Sequence, residues 1–430
     1  MGSKWDKVSI DALKSTNPYS CVGGPFGSSL SRKHYEEAGV PVIRGVNLSG
    51  DEFKDSDFVY VSEDKGEELR RNYAYPGDLV FTQRGTLGQV ALIPEDVQFP
   101  HYVVSQSQMK LSVNPDVADA YFLYLYFRTQ ATKRRIEKSA IVGGVPHINL
   151  GILKGFEVEL PPLLIQKKIT ALCKSFDHKI TLNNQINQTL EQMAQTLFKS
   201  WFVDFDPVKA KMNGEQPKGM DAPFLSKEVA SLFPEKLVES ELGLIPEGWG
   251  VGELSKLFEL HRGFDLPKSK RQDGEYPVYA AGGYHGAHNE FKMEPPGIIT
   301  GRSGVIGNVY LSLDKYWPLN TTLYVREFRT CGPYYAYHLL RSLDLKSLNS
   351  GSAVPSLNRN FVHSTNVCHP DSDVLAKFEE IVTPLFEKMV ANNEQNKSLS
   401  ELRDTLLPKL LSGEIDLENV QVEQAKALAE

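Results

Sequence analysis

"LPPLLIQKKITALCKSFDHKITLNNQINQTLEQMAQTLFKSWF", residues 160–202, is the stretch from which the fold can be read. Ile169, Leu172, Phe176, Ile180, Asn183, Asn187, Leu190, Ala194, Leu197 and Trp201 recur at three- and four-residue steps, the period of one helical face and close to a coiled-coil seam. Pro161 and Pro162 suit a first turn, where a missing N–H is no loss. About 40 residues at 1.5 Å each predict a rod of roughly 60 Å. One such helix cannot bury its stripe alone, and its partner lies in the same chain. Residues 145–206 align without a gap on residues 354–415, at a constant offset of 209. Asn149 falls on Asn358, Pro161 on Pro370, Asn183-Asn184 on Asn392-Asn393, and Thr196-Leu197 on Thr405-Leu406. The second stripe is Phe378, Ile381, Leu385, Met389, Asn392, Asn396, Leu399, Leu402, Leu406 and Leu410. Asparagines in the middle of both stripes either fix register and orientation at a cost in stability or form a polar surface patch. Pro384 stands where the first copy has Ser175, which predicts a kink or a late start in the second helix.

Upstream of each helix the copies diverge. "VPVIRGVNL", "GDLVFTQ" and "QVALIP" in the first, and "YPVYAAGG", "GIITG" and "NVYLSL" in the second, are short β-branched runs bounded by turn residues, hence strands. Short helices are expected over 118–138 and 334–345. "RGTLGQV" (84–90) and "SGVIGNV" (303–309) share Gly-x-x-Gly-x-Val at an offset of 219. A phosphate-cradling loop needs a helix directly after its glycines, whereas here strand-forming residues follow. A tight turn between strands is the expectation. Between the copies, "DPVKAKMNGEQPKGMDAPF" reads as a linker. The fold class is α+β: two mixed α/β domains separated by two long antiparallel coiled-coil-like helices, an internal pseudo-twofold repeat.

Several function classes are excluded by what is missing. There is no G-x-x-x-x-G-K-[ST] loop and no G-x-G-x-x-G opening a helix, so neither a triphosphate nor a dinucleotide site is signalled. "EPPG" at 294–297 lacks the aromatic residue of an amino-methyltransferase tetrapeptide. His285 and His288 have no nearby cysteine or carboxylate set, so no metal is expected. Cys21, Cys173, Cys331 and Cys368 are scattered and read as buried thiols. No apolar stretch is long enough to span a membrane and the first residues hold no signal core, so a cytoplasmic protein without membrane contact is expected. The net charge of −7, taken over the whole chain, opposes nucleic-acid binding. Yet residues 1–150 hold 17 basic against 18 acidic side chains, and residues 249–369 hold 13 against 10. The acidic surplus therefore lies outside the segments that carry the turns.

The chain resembles the DNA specificity subunit of type I restriction–modification systems over nearly its whole length. The resemblance rests on the helix quoted above with its continuation "WFVDFDPV", on "ELGLIPEGW" (241–249) and on "LRDTLLPKLLSGEID" (402–416), with "GIITGRSGVIGNV" and "YPVYAAGG" in support. It implies a first target-recognition domain over 1–160, a central helix over 161–206, a linker over 207–245, a second recognition domain over 246–370, a C-terminal helix over 371–415 and a tail over 416–430. Each recognition domain would read one half of a bipartite, asymmetric site in double-stranded DNA. The helices would set the spacing and dock two DNA adenine methyltransferase subunits, which carry S-adenosylmethionine. Restriction/translocase subunits would complete the assembly. The chain itself would be non-catalytic and hold no cofactor.

Basic and polar loop residues are the candidates for DNA contact. In the first domain these are Arg32, Lys33, His34, Arg44, Asn47, Gln83 and Arg84, with Lys133, Arg134 and Arg135 for the backbone. In the second they are Lys268, Lys270, Arg271, Tyr284, His285, Arg302, Ser303 and Asn320. Arg84 and Arg302 flank the two turns, one for each half-site. Two other readings stand beside this one: the specificity part of a related system whose methyltransferase and nuclease are fused, and a coiled-coil scaffold that binds no DNA.

Overall fold

In the computed structural model, which describes residues 4–214, 227–350 and 354–417, contacts divide the chain into unit 1, Met1–Thr181 with Asn396–Glu430, and unit 2, Leu182–Gln395. Both borders fall inside the long helices.

Unit 1 runs β1 (Asp6–Ser9), α1 (Ile10–Leu13), β2 (Cys21–Gly23), β3 (Val40–Ile43), β4 (Val59–Val61), α2 (Glu63–Glu68), β5 (Tyr73–Ala74), β6 (Leu79–Thr82), β7 (Val90–Leu92), β8 (Tyr102–Val104) and β9 (Gln108–Leu111). Then come α3 (Ala120–Arg128), α4 (Gln130–Lys138), α5 (Leu150–Gly155), β10 (Glu157–Leu160) and the first part of α6 (Leu163–Phe202). Two four-stranded sheets, ordered β2-β9-β6-β7 and β4-β3-β8-β5, carry the domain, and β1 pairs with β10. The β3–β8 pair is parallel. "YFLYLYF" forms α3 and is apolar all round; Phe122 to Phe127 are buried accordingly. The helix expected over 118–138 is two helices. Thr129 takes an extended conformation and its hydroxyl accepts from the Thr132 N–H, capping α4.

Unit 2 contains the rest of α6, followed by α7 (Asp206–Met212), α8 (Lys227–Ser231), β11 (Leu237–Ser240), β12 (Gly243–Pro246), β13 (Gly250–Glu253), β14 (Phe258–Arg262), β15 (Tyr276–Ala280), β16 (Gly283–His288), β17 (Gly297–Gly301), β18 (Val309–Ser312), β19 (Trp317–Pro318) and β20 (Thr322–Phe328). It closes with α9 (Pro333–Ser342), α10 (Arg359–His363), β21 (Asn366–His369) and the first part of α11 (Ser372–Ser412). The stretch 207–245 is thus no plain linker. Val208, Val229 and Phe233 are buried in the unit 2 core beside Trp201 and Trp249, because apolar residues spaced along the polar stretch cover that end of the helix. Residues 215–226 of that stretch, and most of the tail at 416–430, lie outside the described residues.

The repeat holds strand by strand. The order β14-β20-β17-β18 matches β2-β9-β6-β7, and the parallel pair β15–β19 matches β3–β8. Asn149 and Asn358 each cap a short helix through the side chain, and β13–β21 repeats β1–β10.

Within each unit α6 and α11 are antiparallel neighbours. In unit 1, Ile169, Leu172 and Phe176 share a core with Leu407, Leu410 and Leu411, and Arg403 donates to Asp177 at 2.5 Å. In unit 2, Ala194, Phe198, Trp201 and Phe202 share one with Phe378, Val382 and Phe386. Asn183 donates to Gln395 at 2.8 Å, Asn392 to Asn187 at 2.8 Å, and Asn187 to Asn393 at 2.9 Å. The asparagines therefore bond across the pair, and Asn183 and Asn392 are buried. Two expectations need correction. Leu402 is 43% exposed rather than packed, because position 403 faces the partner helix here, with the Arg403 guanidinium on Asp177, and the next position round the helix is turned about 100° away. Helix α11 is unbroken across Pro384: the proline lies on the exposed side, and the exposed Glu380, whose carbonyl it deprives of an N–H, faces water. Ile180, Asn187, Leu190, Leu197, Ile381, Leu385, Met389, Asn396, Leu399 and Leu406 are half-buried. The deepest seam of α11 runs one position away, through Val382 and Phe386.

Candidate nucleic-acid interface

Both Gly-x-x-Gly segments are turns between antiparallel strands, β6 to β7 and β17 to β18. Gly85 and Gly88 have φ of +102° and +84°, and Gly304 and Gly307 have +92° and +95°, a region other residues enter only with strain. The same backbone bonds seat both turns. The Gln83 N–H donates to Ser107 and the Gln83 carbonyl accepts from Ile148; the Arg302 N–H donates to Thr321 and the Arg302 carbonyl accepts from Leu357. The residue after each, Arg84 or Ser303, bridges His147 or Ser356. Arg302 is therefore the counterpart of Gln83, and Ser303 that of Arg84. The two arginines sit at neighbouring positions of one scaffold, not at the same position, because the equivalence follows the backbone bonds rather than the side chain.

Around the first turn an open cleft of about 630 Å³ is lined by Gly45, Lys54, Arg84, Thr86, Gln89 and Ser107. Arg84 is exposed and Gln83 half-buried above it. The 24–34 loop is tied to the same place, since Gln106 donates to the Leu30 carbonyl. Arg32 and Lys33 are exposed there, while His34 turns its ring to the Ser31 N–H and closes a short turn. Phe26, at 88% exposure, stands on this loop. Pattern reading passed over it because a lone phenylalanine carries no period; its glycine neighbours were the available signal.

Four other residues of unit 1 expected to touch DNA are bonded to neighbours within the fold. Asn47 is buried: its carbonyl accepts the Arg44 N–H and its amide donates to Lys54 and Ser56. It holds the 44–57 loop and has no free edge for a base. Arg44 donates to the Asp57 carbonyl of the same loop at 2.9 Å. Lys133 is bound to Asp51, a contact between segments that sequence order keeps apart. Arg135 bonds the Tyr126 hydroxyl and the Glu157 carbonyl, both at 2.8 Å, with Phe156 under its guanidinium. Arg134 points to solvent.

In unit 2 the second turn meets the β15–β16 corner and the loop before β20. The Ala281 N–H donates to the Thr321 hydroxyl, while the Arg302 and Ser303 N–H groups donate to the Thr321 carbonyl. Arg302 reaches the Asn320 carbonyl at 3.4 Å, and the Asn320 amide is bound to Asp265. Tyr284, 67% exposed, and His285 project from β16. Arg271 donates to the His285 carbonyl at 2.6 Å, which brings the exposed Lys268 and Lys270 to the same strand. Arg262 and Arg326, absent from the sequence expectation, are exposed at a neighbouring cleft of about 570 Å³ with Phe264 and Tyr324.

A sequence profile described as the type I restriction modification DNA specificity domain matches this chain twice, over residues 27–192 and 246–399. The chain belongs to that family. It is similar to the HindI specificity subunit of Haemophilus influenzae, with 28% identity over 402 residues, 79% of this chain and 86% of that one. It is also similar to the MjaIX specificity subunit of Methanocaldococcus jannaschii, with 24% identity over 420 residues, 93% of this chain and 92% of the other. Among solved structures, the type I restriction–modification S subunit from M. genitalium superposes with a TM-score of 0.51 at 19% identity, over 95% of this chain and 96% of that one. The protein is thus a type I DNA specificity subunit with two specificity domains, and the scaffold reading without DNA falls away.

Nothing in the described residues signals a further chemical centre. No group of three or more His, Cys, Asp or Glu side chains is placed to hold a metal, and no helix is long and apolar enough to cross a membrane. The cysteines are free. Burial pushes the Cys21 thiol up to about 11 and the Cys173 thiol up to about 12, so both are unreactive side chains of the core.

Proposed function

We propose that each unit reads one half of a bipartite, asymmetric duplex site with the loops gathered at its glycine turn. The helix pair sets the distance between the halves and docks two adenine methyltransferase subunits, which bring S-adenosylmethionine. Restriction/translocase subunits join that assembly, and this chain supplies selection without chemistry. One observation carries the reading: identical backbone bonds present Gln83 and Arg84 in unit 1 but Arg302 and Ser303 in unit 2. Glutamine pairs well with adenine and arginine with guanine in the major groove, so one scaffold holding different side chains suits two different half-sites.

Modified-base sequencing of host DNA, with and without this chain, tests the proposal. N6-methyladenine is expected at one two-part sequence with unlike halves, and only when the chain is present. An identical pattern in both samples overturns it. Inserting about four residues, one turn, into both helices is expected to change the gap between the halves while leaving the halves themselves unchanged.

A further inference from the structure

In each unit a lysine stem lies on the second glycine of the turn. A Cβ on Gly88 would stand 3.3 Å from Lys133 Cγ, and a Cβ on Gly307 would stand 2.6 Å from Lys346 Cγ. Gly88 and Gly307 are equivalent, but the lysines reach them from different elements. Lys133 comes from α4, which has no counterpart among the described residues of unit 2, and Lys346 from the segment after α9. Different segments thus deliver the same ammonium group to the same seat.

Their charges are in different states. Lys133 is bound to Asp51, whose carboxylate also accepts from Val90 and whose carbonyl accepts from the Tyr124 hydroxyl. That lysine fastens the 44–57 loop over the turn. Lys346 is exposed, and no carboxylate among the described residues lies within ion-pair distance of it. The glycine leaves room for the stem, whose Cγ, Cδ and Cε lie against the turn at Gly307.

We infer that Lys346 is a phosphate-anchoring residue for the second half-site, whereas Lys133, its counterpart over the first turn, is a loop clamp that contributes no phosphate contact. The inference rests on the DNA-reading role of the turns. A lysine on a phosphate acts as a point charge, positions the protein without reading sequence and releases counterion on binding.

The test uses the full chain assembled with methyltransferase subunits, a fluorescein-labelled duplex carrying the mapped site and a scrambled duplex. Lys346→Met keeps the stem on Gly307 and removes the charge. It is expected to lower the slope of log affinity against log salt by about 0.9, equally on both duplexes, and Lys346→Arg is expected to restore it. Lys133→Met is expected to leave the slope unchanged and lower the melting temperature. An unchanged slope in Lys346→Met, or an equal loss in Lys133→Met, overturns the inference. If the unmodified assembly itself shows no salt-dependent duplex binding, the DNA reading beneath it fails instead.

Discussion

The N-terminus of α3 in unit 1 is closed by Asp119, whose carboxylate accepts from the Phe122 N–H and from the Thr170 hydroxyl on α6. In unit 2 the cap position before α9 is Gly332, and Glu379 reaches over from α11 to accept from the Tyr335 and Tyr334 N–H groups. Glu379 stands one repeat after Thr170, at the offset of 209. A Cβ on Gly332 would overlap the Glu379 carboxyl, so the glycine and the glutamate form one device. The central sheets diverge in the same way. Lys110 pairs with Val80 in register, and Tyr324 with Ile299. At that site unit 1 buries a Lys110–Asp78 ion pair at 3.1 Å, whereas unit 2 packs Tyr324 with Tyr316, whose ring covers Gly297. The backbone was duplicated, and the side chains that satisfy it were not. A need such as an open helix end or a filled sheet face is inherited; the residue meeting it is free to move to another element.

Four substitutions break or sharpen this comparison. Lys110→Ala leaves Asp78 buried and uncompensated, and is expected to cost unit 1 about 3–5 kcal/mol, whereas Tyr324→Phe in unit 2 costs far less. Denaturant melts of the two variants check the contrast, and similar losses would contradict it. Next, Arg302→Gln gives unit 2 the side chain that unit 1 carries. Discrimination at the second half-site is expected to fall by about 1–3 kcal/mol with the first half unaffected; binding to duplexes substituted in one half at a time reads this directly. The smallest effect concerns the caps. Burial pushes the Glu379 carboxyl up to about 7 against the bonds from Tyr335 and Tyr334, which pull it down. The native state thus keeps a proton that the unfolded chain releases near 4.5. Stability of unit 2 is then expected to fall as pH rises from about 4.5 to about 7. Glu379→Gln removes the titration, so its thermal melt should gain on the wild type at pH 8 relative to pH 5. Parallel behaviour at the two pH values would refute that assignment.

Much of the architecture was legible because its signals are periodic. The helix pair, the 209-residue repeat, the strand runs and the turn character of both glycine motifs need only spacing and residue type. Contacts between distant segments carry no such period. Asn47 looked like a loop amide free to read a base, yet its partners Lys54 and Ser56 bury it. Lys133 looked like a solvent-facing cation within "TKRRIEK", yet Asp51 binds it across the fold. Leu402 fits the stripe by count but is exposed, and it is Arg403 that meets the other helix, at Asp177.

Sequence alone therefore determined the class of the fold, the duplication and the family, because hydrophobic periodicity and self-similarity are properties of the chain taken in order. Tertiary structure decided which side chains remain available to DNA. A charged or amide group is free only if no neighbour brought in from elsewhere satisfies it first, as Asp51 does for Lys133 and as no described carboxylate does for Lys346.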